Sequence, residues 1–161
     1  MVDAPRVGLG FDVHPRDASR PLSLGGVVFE AEPGVAGHSD GDVVCHAIAD
    51  ALLGAAGLGD VGAHFPDSDP RIAGIAGTEL LGRTVALVRA EGLHPDSCDA
   101  TVVAHTPVVA SRRDEMRSVL SAVLGIEVAR VSVKGTRPEG LGLTGDGIGC
   151  MAVAVLLPGP A

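Results

Sequence analysis

D-V-V-C-H-A-I-A-D-A-L-L-G-A-A-G-L, residues 42–58, is the stretch on which the reading of the fold turns. Val44, Ile48, Ala51, Leu52 and Ala55 recur at helical spacing, so the run predicts a helix over Asp42–Leu58 with one apolar face. Asp42, His46 and Asp50 follow one another at helical i, i+4 positions and form a polar stripe on it. Such a helix must lay its apolar face on another layer, and the flanking sequence supplies one.

Upstream, Arg6–Val13 reads as a strand ending in a polar cluster, and Leu22–Phe29 as a second strand that Gly25-Gly26 bulges or bends. Downstream, Asp60–Gly77 is a long loop rich in Pro, Asp and Gly, the kind that is functional or mobile. Thr78–Glu91 predicts a second helix, with Thr78 as N-cap and Gly92 just past its end. A strand follows at Asp99–Ala104. Ser111 to Asp114 then form a weak capping box that opens a third helix, stopped after Leu124 by Gly125. Arg130–Lys134 is a strand, Gly135–Gly149 a glycine-rich loop, and Cys150–Leu157 a last apolar strand. This order predicts one α+β domain over 1–161, a mixed β-sheet with helices on one face. The other face, rich in Val and Ala, is expected to be buried by oligomerisation.

Composition narrows the function. Apolar residues make up 46% of the 161, yet there is no Trp, no Tyr and only three Phe, so the core is Val, Ala, Leu and Ile. A net charge of −8 argues against nucleic acid and anionic membranes as partners, since both reward dense cationic patches. A small anionic substrate would need metal ions or backbone N–H groups to hold it. Cys45, Cys98 and Cys150 are odd in number, with no C-x-x-C pair, and read as buried thiols of a reducing cytosol. No run approaches the ~18 apolar residues of a membrane span. Met1–Arg6 carries no signal stretch, and a soluble cytoplasmic protein is expected.

Four short patterns can carry chemistry. Asp12 and His14 alternate with Val13 at a strand end, so both face one side and offer two legs of a zinc site. Alone, the pair equally suits a surface ion pair. His38-Ser39-Asp40-Gly41-Asp42 precedes the helix; Asp40 and Asp42 are each suited to cap it, while His38 and Ser39 can donate to phosphate beside its N-terminus. His46 lies within the helix, where Asp50 is placed to orient its ring as carboxylates do behind metal-bound histidines. The acidic Phe65–Pro70 loop fits either a surface turn or a set of acceptors for sugar hydroxyls. No nucleophile motif or phosphate loop is present; Gly8-Leu9-Gly10 lacks the third glycine.

Taken together, G-F-D-V-H (10–14), H-S-D-G-D (38–42), H-A-I-A-D-A-L-L-G-A-A-G-L-G-D-V-G (46–62) and H-F-P-D-S-D-P (64–70) resemble the 2-C-methyl-D-erythritol 2,4-cyclodiphosphate synthase family. The resemblance implies a homotrimer with active sites at subunit interfaces. It also implies one Zn²⁺ per subunit and a Mg²⁺ or Mn²⁺ bound with substrate. The implied substrate is 4-diphosphocytidyl-2-C-methyl-D-erythritol 2-phosphate, whose 2-phosphate attacks a zinc-polarised β-phosphate to give the cyclic diphosphate and CMP in the non-mevalonate isoprenoid pathway. Asp12, His14 and His46 resemble the zinc ligands, the first two also touching substrate. His38 and Ser39 resemble phosphate-side contacts, His38 with a catalytic role, and Asp60 and Gly62 the ribose contacts. Phe65, Pro66, Asp67, Ser68 and Asp69 match a loop over the methylerythritol part. Ala104 to Ala110, around Pro107, match the cytosine pocket, and Glu139 matches a carboxylate of the second metal.

The C-terminal third departs from the family. Thr136, Arg137 and Leu143 fall on a substrate-facing segment, but Arg137 stands where the family has a threonine linked to transition-state stabilisation. A glycine-rich element near the trimer axis is shortened around 145–148. These departures keep a second reading open, a zinc-containing paralogue that binds a nucleotide or partner without cyclase activity.

Overall fold

Gly8 and Gly10 share one face of the first strand, and that face has no room for a side chain. A Cβ at Gly8 would sit 1.9 Å from the Ala51 carbonyl oxygen, and one at Gly10 2.0 Å from that of Ala47. The helix of the opening stretch therefore lies directly on the strand backbone, small residue against small residue. The computed structural model describes residues 4–142 and 144–159. Its elements are β1 (Arg6–His14), β2 (Arg16–Leu24), β3 (Val27–Val35), α1 (Val43–Ala56), α2 (Val61–His64), α3 (Gly77–Ala90), β4 (Leu93–Val103), α4 (Arg113–Leu124), β5 (Val131–Thr136) and β6 (Ile148–Pro158).

Four strands form a mixed sheet in the order β1-β6-β4-β5, antiparallel except for the β4/β5 pair. Helix α1 covers β1 and β6, α3 packs on α1, and α4 closes over β5. The expected α+β sheet with helices on one face is what forms. Phe29 and Phe65 are the aromatic part of the buried core; the rest is aliphatic, as the composition requires. The three cysteines are buried free thiols.

The opposite face of β1 and β6 is apolar and open. Val7, Leu9, Phe11, Val13, Met151 and Val153 line it, each between 40% and 66% exposed. Exposed apolar area this continuous marks an interaction surface.

Several boundaries differ from expectation. Leu22–Phe29 is not one bent strand but two arms of the β2–β3 hairpin. Gly25 (φ 57°) and Gly26 (φ 76°) are its two-residue turn, left-handed at both positions as a type I′ turn requires. Thr78 is not the N-cap of α3, because the helix already begins at Gly77; Asp40 caps it from afar, Oδ2 accepting the Gly77 N–H at 2.8 Å. The Ser111 box does not form: the Ser111 hydroxyl donates to the Val108 carbonyl inside a 3₁₀ turn, and α4 opens at Arg113 without a side-chain cap. Strand β4 begins at Leu93, where Pro95 and a register shift before Ser97 hide the alternation. Gly135 and Thr136 continue β5, and Ile148 and Gly149 begin β6, so each end of the glycine-rich loop is strand. Asp60–Gly77 is not loop throughout, because Val61–His64 form a single helical turn, α2, capped by Asp60. Gly92 (φ 70°) and Gly125 (φ 71°) end their helices as read.

Candidate functional site

Strand alternation brings Asp12 and His14 to the helix side of β1, and α1 presents His46 to the same point. Asp12 Oδ2 lies 3.1 Å from His46 Nδ1 and 3.1 Å from His14 Nε2. One ligand atom from each of the three falls within 4.8 Å of the others. Two imidazoles on one carboxylate oxygen make a compact N/N/O donor set of the kind zinc takes with a fourth position left open.

The fit to a cation rests on His14. Its Nε2 is shut off from solvent and has no hydrogen-bond partner among the described residues, despite its proximity to Asp12. A buried, unpartnered ring nitrogen costs free energy unless something binds it. Burial would raise the Asp12 carboxyl, but the close approach and charges of His14 and His46 outweigh it and hold the group well below the usual carboxylate range. Burial would likewise lower His46, but Asp12, helped by Asp42 and Asp40, raises it above an ordinary imidazole. The cluster concentrates negative potential that a metal ion would neutralise.

His46 is oriented by a residue other than the expected one. Asp50 does not reach the ring; its Oδ1 accepts the Val61 N–H at 3.2 Å and tethers α2. Ser39 takes the role, its Oγ 3.2 Å from His46 Nε2 while also accepting the Gly41 N–H at 3.0 Å. With Nδ1 turned to Asp12, the Nε2 proton points at Ser39, which then still has its own hydroxyl proton to give a third partner.

Asp40 and Asp42 divide the capping work. Asp42, fully buried, is the N-cap of α1, accepting Val44 N–H and Cys45 N–H at 3.1 Å each. It also accepts the hairpin-turn amides of Gly25 (2.8 Å) and Gly26 (2.7 Å) and the Ser23 hydroxyl (3.3 Å). It is thus no part of a polar stripe.

A cleft of about 470 Å³ opens over the triad, lined also by His38, Ser39, Gly62, Phe65 and Asp67. His38 Nδ1 stands 3.2 Å from Asp67 Oδ2 across its mouth, both side chains exposed. Asp60 is spent partly on capping α2, Oδ1 accepting the Ala63 N–H at 2.9 Å. Pro66, Ser68 and Asp69 are not among the cleft-lining residues. Asp69 is clamped by Arg71, whose hydrogen bonds bring its carboxyl down to about 2.

A second cavity, about 210 Å³, lies at the C-terminal ends of β4 and β5. Ala104, Pro107, Val109, Thr136 and Arg137 line it, with Arg113. Its apolar floor with guanidinium groups at the edge suits a flat ring carrying an anionic tail. Asp12, Cys150, Val102 and Gly135 stand in one row of the sheet, which sets this cavity three strand spacings, about 14 Å, from the metal ligands. Glu139, at φ 49°, is exposed, lines neither cavity and is not part of the metal cluster. Leu143 lies outside the described residues.

The model of the YgbB family matches residues 5–158. A 2-C-methyl-D-erythritol 2,4-cyclodiphosphate synthase from Desulfatibacillum aliphaticivorans is 51% identical over 150 residues, covering 93% of this chain and 97% of its own. Among solved structures, the bifunctional IspDF of Campylobacter jejuni superposes with a TM-score of 0.91 at 36% identity, over 96% of this chain and 42% of that longer one. IspF from Plasmodium falciparum in complex with CDP gives 0.83 at 32% identity, over 99% and 100%.

Proposed function

We propose, because this chain belongs to the YgbB family, whose curated relatives are named 2-C-methyl-D-erythritol 2,4-cyclodiphosphate synthase, that its two cavities take the two ends of one diphosphocytidyl substrate. The chain is an enzyme, a phosphorus–oxygen lyase of isoprenoid biosynthesis. The substrate is 4-diphosphocytidyl-2-C-methyl-D-erythritol 2-phosphate. An oxygen of its 2-phosphate forms a bond to the β-phosphorus; the bond from β-phosphorus to the α,β-bridging oxygen breaks, and CMP leaves with that electron pair.

No protein nucleophile is needed, so the protein's tasks are positioning and charge neutralisation. Bound at Asp12, His14 and His46, Zn²⁺ supplies a Lewis acid for a phosphoryl oxygen. Ser39 holds the His46 ring and offers its remaining proton to the phosphate. His38 donates at the cleft mouth, where Asp67 keeps its ring in place. Phe65 and Asp67 border the methylerythritol part, while Asp60 and Gly62 meet the ribose. Ala104, Pro107 and Thr136 enclose the base, with Arg137 on the phosphate side as a charged donor where the family has a hydroxyl. A Mg²⁺ or Mn²⁺ ion enters with the substrate. Glu139, which is not part of the Asp12–His14–His46 cluster, would be its protein ligand.

The observation that carries this reading is the buried, unpartnered His14 Nε2 within the Asp12–His14–His46 cluster. Incubation of the purified protein with substrate, Zn²⁺ and Mg²⁺ is expected to yield CMP and the cyclic diphosphate. CMP with a linear product would instead mean hydrolysis, and tight CDP binding without turnover would mean a binding paralogue.

The assembly is a homotrimer closed over the open sheet face, its active sites shared between subunits. Replacing Leu9, 66% exposed at the middle of that face, by glutamate is expected to yield monomers in light scattering, with cyclase activity lost. Each charge so buried would cost several kcal/mol, on the order of the interface's own surplus. An intact trimer in the Leu9→Glu variant would place the interface elsewhere.

A further inference from the structure

The loop that walls the second cavity is held from outside. Among the described residues, 105–107 make no backbone–backbone hydrogen bond; the loop is fastened at Ala104, whose N–H reaches the Thr136 carbonyl, and again at Ser111. Between those points Thr106 is gripped by the β2–β3 hairpin. Arg16, the first residue of β2, donates from Nη2 to the Thr106 carbonyl and, at 3.3 Å, to its hydroxyl oxygen. Its Nη1 donates to the Pro33 carbonyl at 2.7 Å. The Thr106 hydroxyl in turn donates to Glu32 Oε2 at 2.6 Å, on β3.

We propose that Arg16, acting with Glu32 through Thr106, is a positioning residue for the base-binding pocket; the role rests on the nucleotide reading above. A threonine hydroxyl that accepts from a guanidinium and donates to a carboxylate sits in a charge-assisted chain, stronger than a neutral one. The guanidinium fork fixes two planes at once, because Nη1 and Nη2 take acceptors on the hairpin and on the loop. A point charge such as lysine cannot span both. The arm is short and stiff: Arg16 follows His14 by two residues, about 7 Å of extended chain. The chain that leaves the metal-ligand end of β1 at His14 thus carries, two residues on, the clamp on the pocket wall. A free loop would have to be ordered each time a nucleotide bound, and preordering it removes that cost from the binding free energy. Arg16 touches neither the triad nor the cavity lining, so its loss is felt in nucleotide affinity and not in metal content.

The test is titration of zinc-loaded protein with CDP by calorimetry, with zinc content and Tm recorded for every variant. Arg16→Met keeps the apolar stem, and Thr106→Val is nearly isosteric. Each is expected to raise the Kd for CDP about tenfold, and to raise KM while kcat stays within about threefold. Zinc stays at its parent stoichiometry. Arg16→Lys recovers part of the affinity, and the double variant is no weaker than either single one, because both break the same chain. Unchanged CDP affinity in folded Arg16→Met and Thr106→Val protein overturns the proposal, as does a loss confined to kcat or to zinc. Failure of the parent protein to bind CDP would bring down the nucleotide reading itself, before any variant is compared.

Discussion

On the proposed zinc reading, replacing His46 by alanine is expected to strip the protein of stoichiometric zinc and to lower kcat/KM by at least about 10³-fold, equivalent to about 4 kcal/mol of transition-state stabilisation. Asp12 Oδ2 is shared between two imidazoles at 3.1 Å each, and without His46 only Asp12 and His14 remain to hold a cation. Two donors do not close a tetrahedral site. Ser39→Ala separates orientation from ligation: all three ligands stay, but Nε2 loses its acceptor, and zinc affinity is expected to fall about tenfold or more. Metal analysis after gel filtration, with a chelator competition, reads both. Because Asp12 keeps a proton on His46 to higher pH than on free imidazole, zinc uptake is expected to displace that proton and to weaken as pH falls. Full zinc content in His46→Ala would remove His46 from the ligand set.

Asp42→Ala is expected to cost about 3–5 kcal/mol, the largest stability effect of any single polar residue in the fold. The carboxylate is fully buried and satisfies four backbone N–H groups and a hydroxyl drawn from two separate elements. Alanine strands the α1 cap and the hairpin turn together in a fully buried site. Against a total of about 5–15 kcal/mol for a domain, the variant sits near the edge of folding. Urea denaturation should show a lower midpoint with an unchanged slope. Asp42→Asn keeps one acceptor oxygen but turns an NH₂ toward donors, so an intermediate loss is expected. A loss below about 1 kcal/mol in the alanine variant would mean that the turn amides find other partners.

Local chemistry in the sequence reached the elements well and their junctions poorly. Gly92 and Gly125 each end a helix in the left-handed region, a requirement that belongs to one residue, whereas Gly57 ends α1 inside the stretch read as helix to Leu58. Gly25-Gly26 shows the limit. Two glycines between apolar arms serve a bulge or a turn equally, and the turn prevails because Asp42, far along the chain, takes both of its amides. The same holds for Asp40 and Asp42, each a competent cap by type. Which helix each caps depends on where α3 lands, and no local signal carries that. Arg16 and Thr106 lie so far apart in sequence that nothing in either neighbourhood announces the other.

For the proposed metal site, the sequence by itself determined the candidate donors: Asp12 and His14 share a face because strands alternate, and His46 is held at one helix position by the apolar period around it. Tertiary structure alone decided that the three meet, through Gly8 and Gly10 letting α1 settle onto the strand backbone. It also decided who aims His46. Asp50, correctly spaced one turn along, is claimed by the Val61 N–H, whereas Ser39 is delivered by a loop folded back over the helix start. Periodicity is a property of neighbours in the chain, but the partner of a buried polar group is selected by competition among all the groups that folding brings within reach.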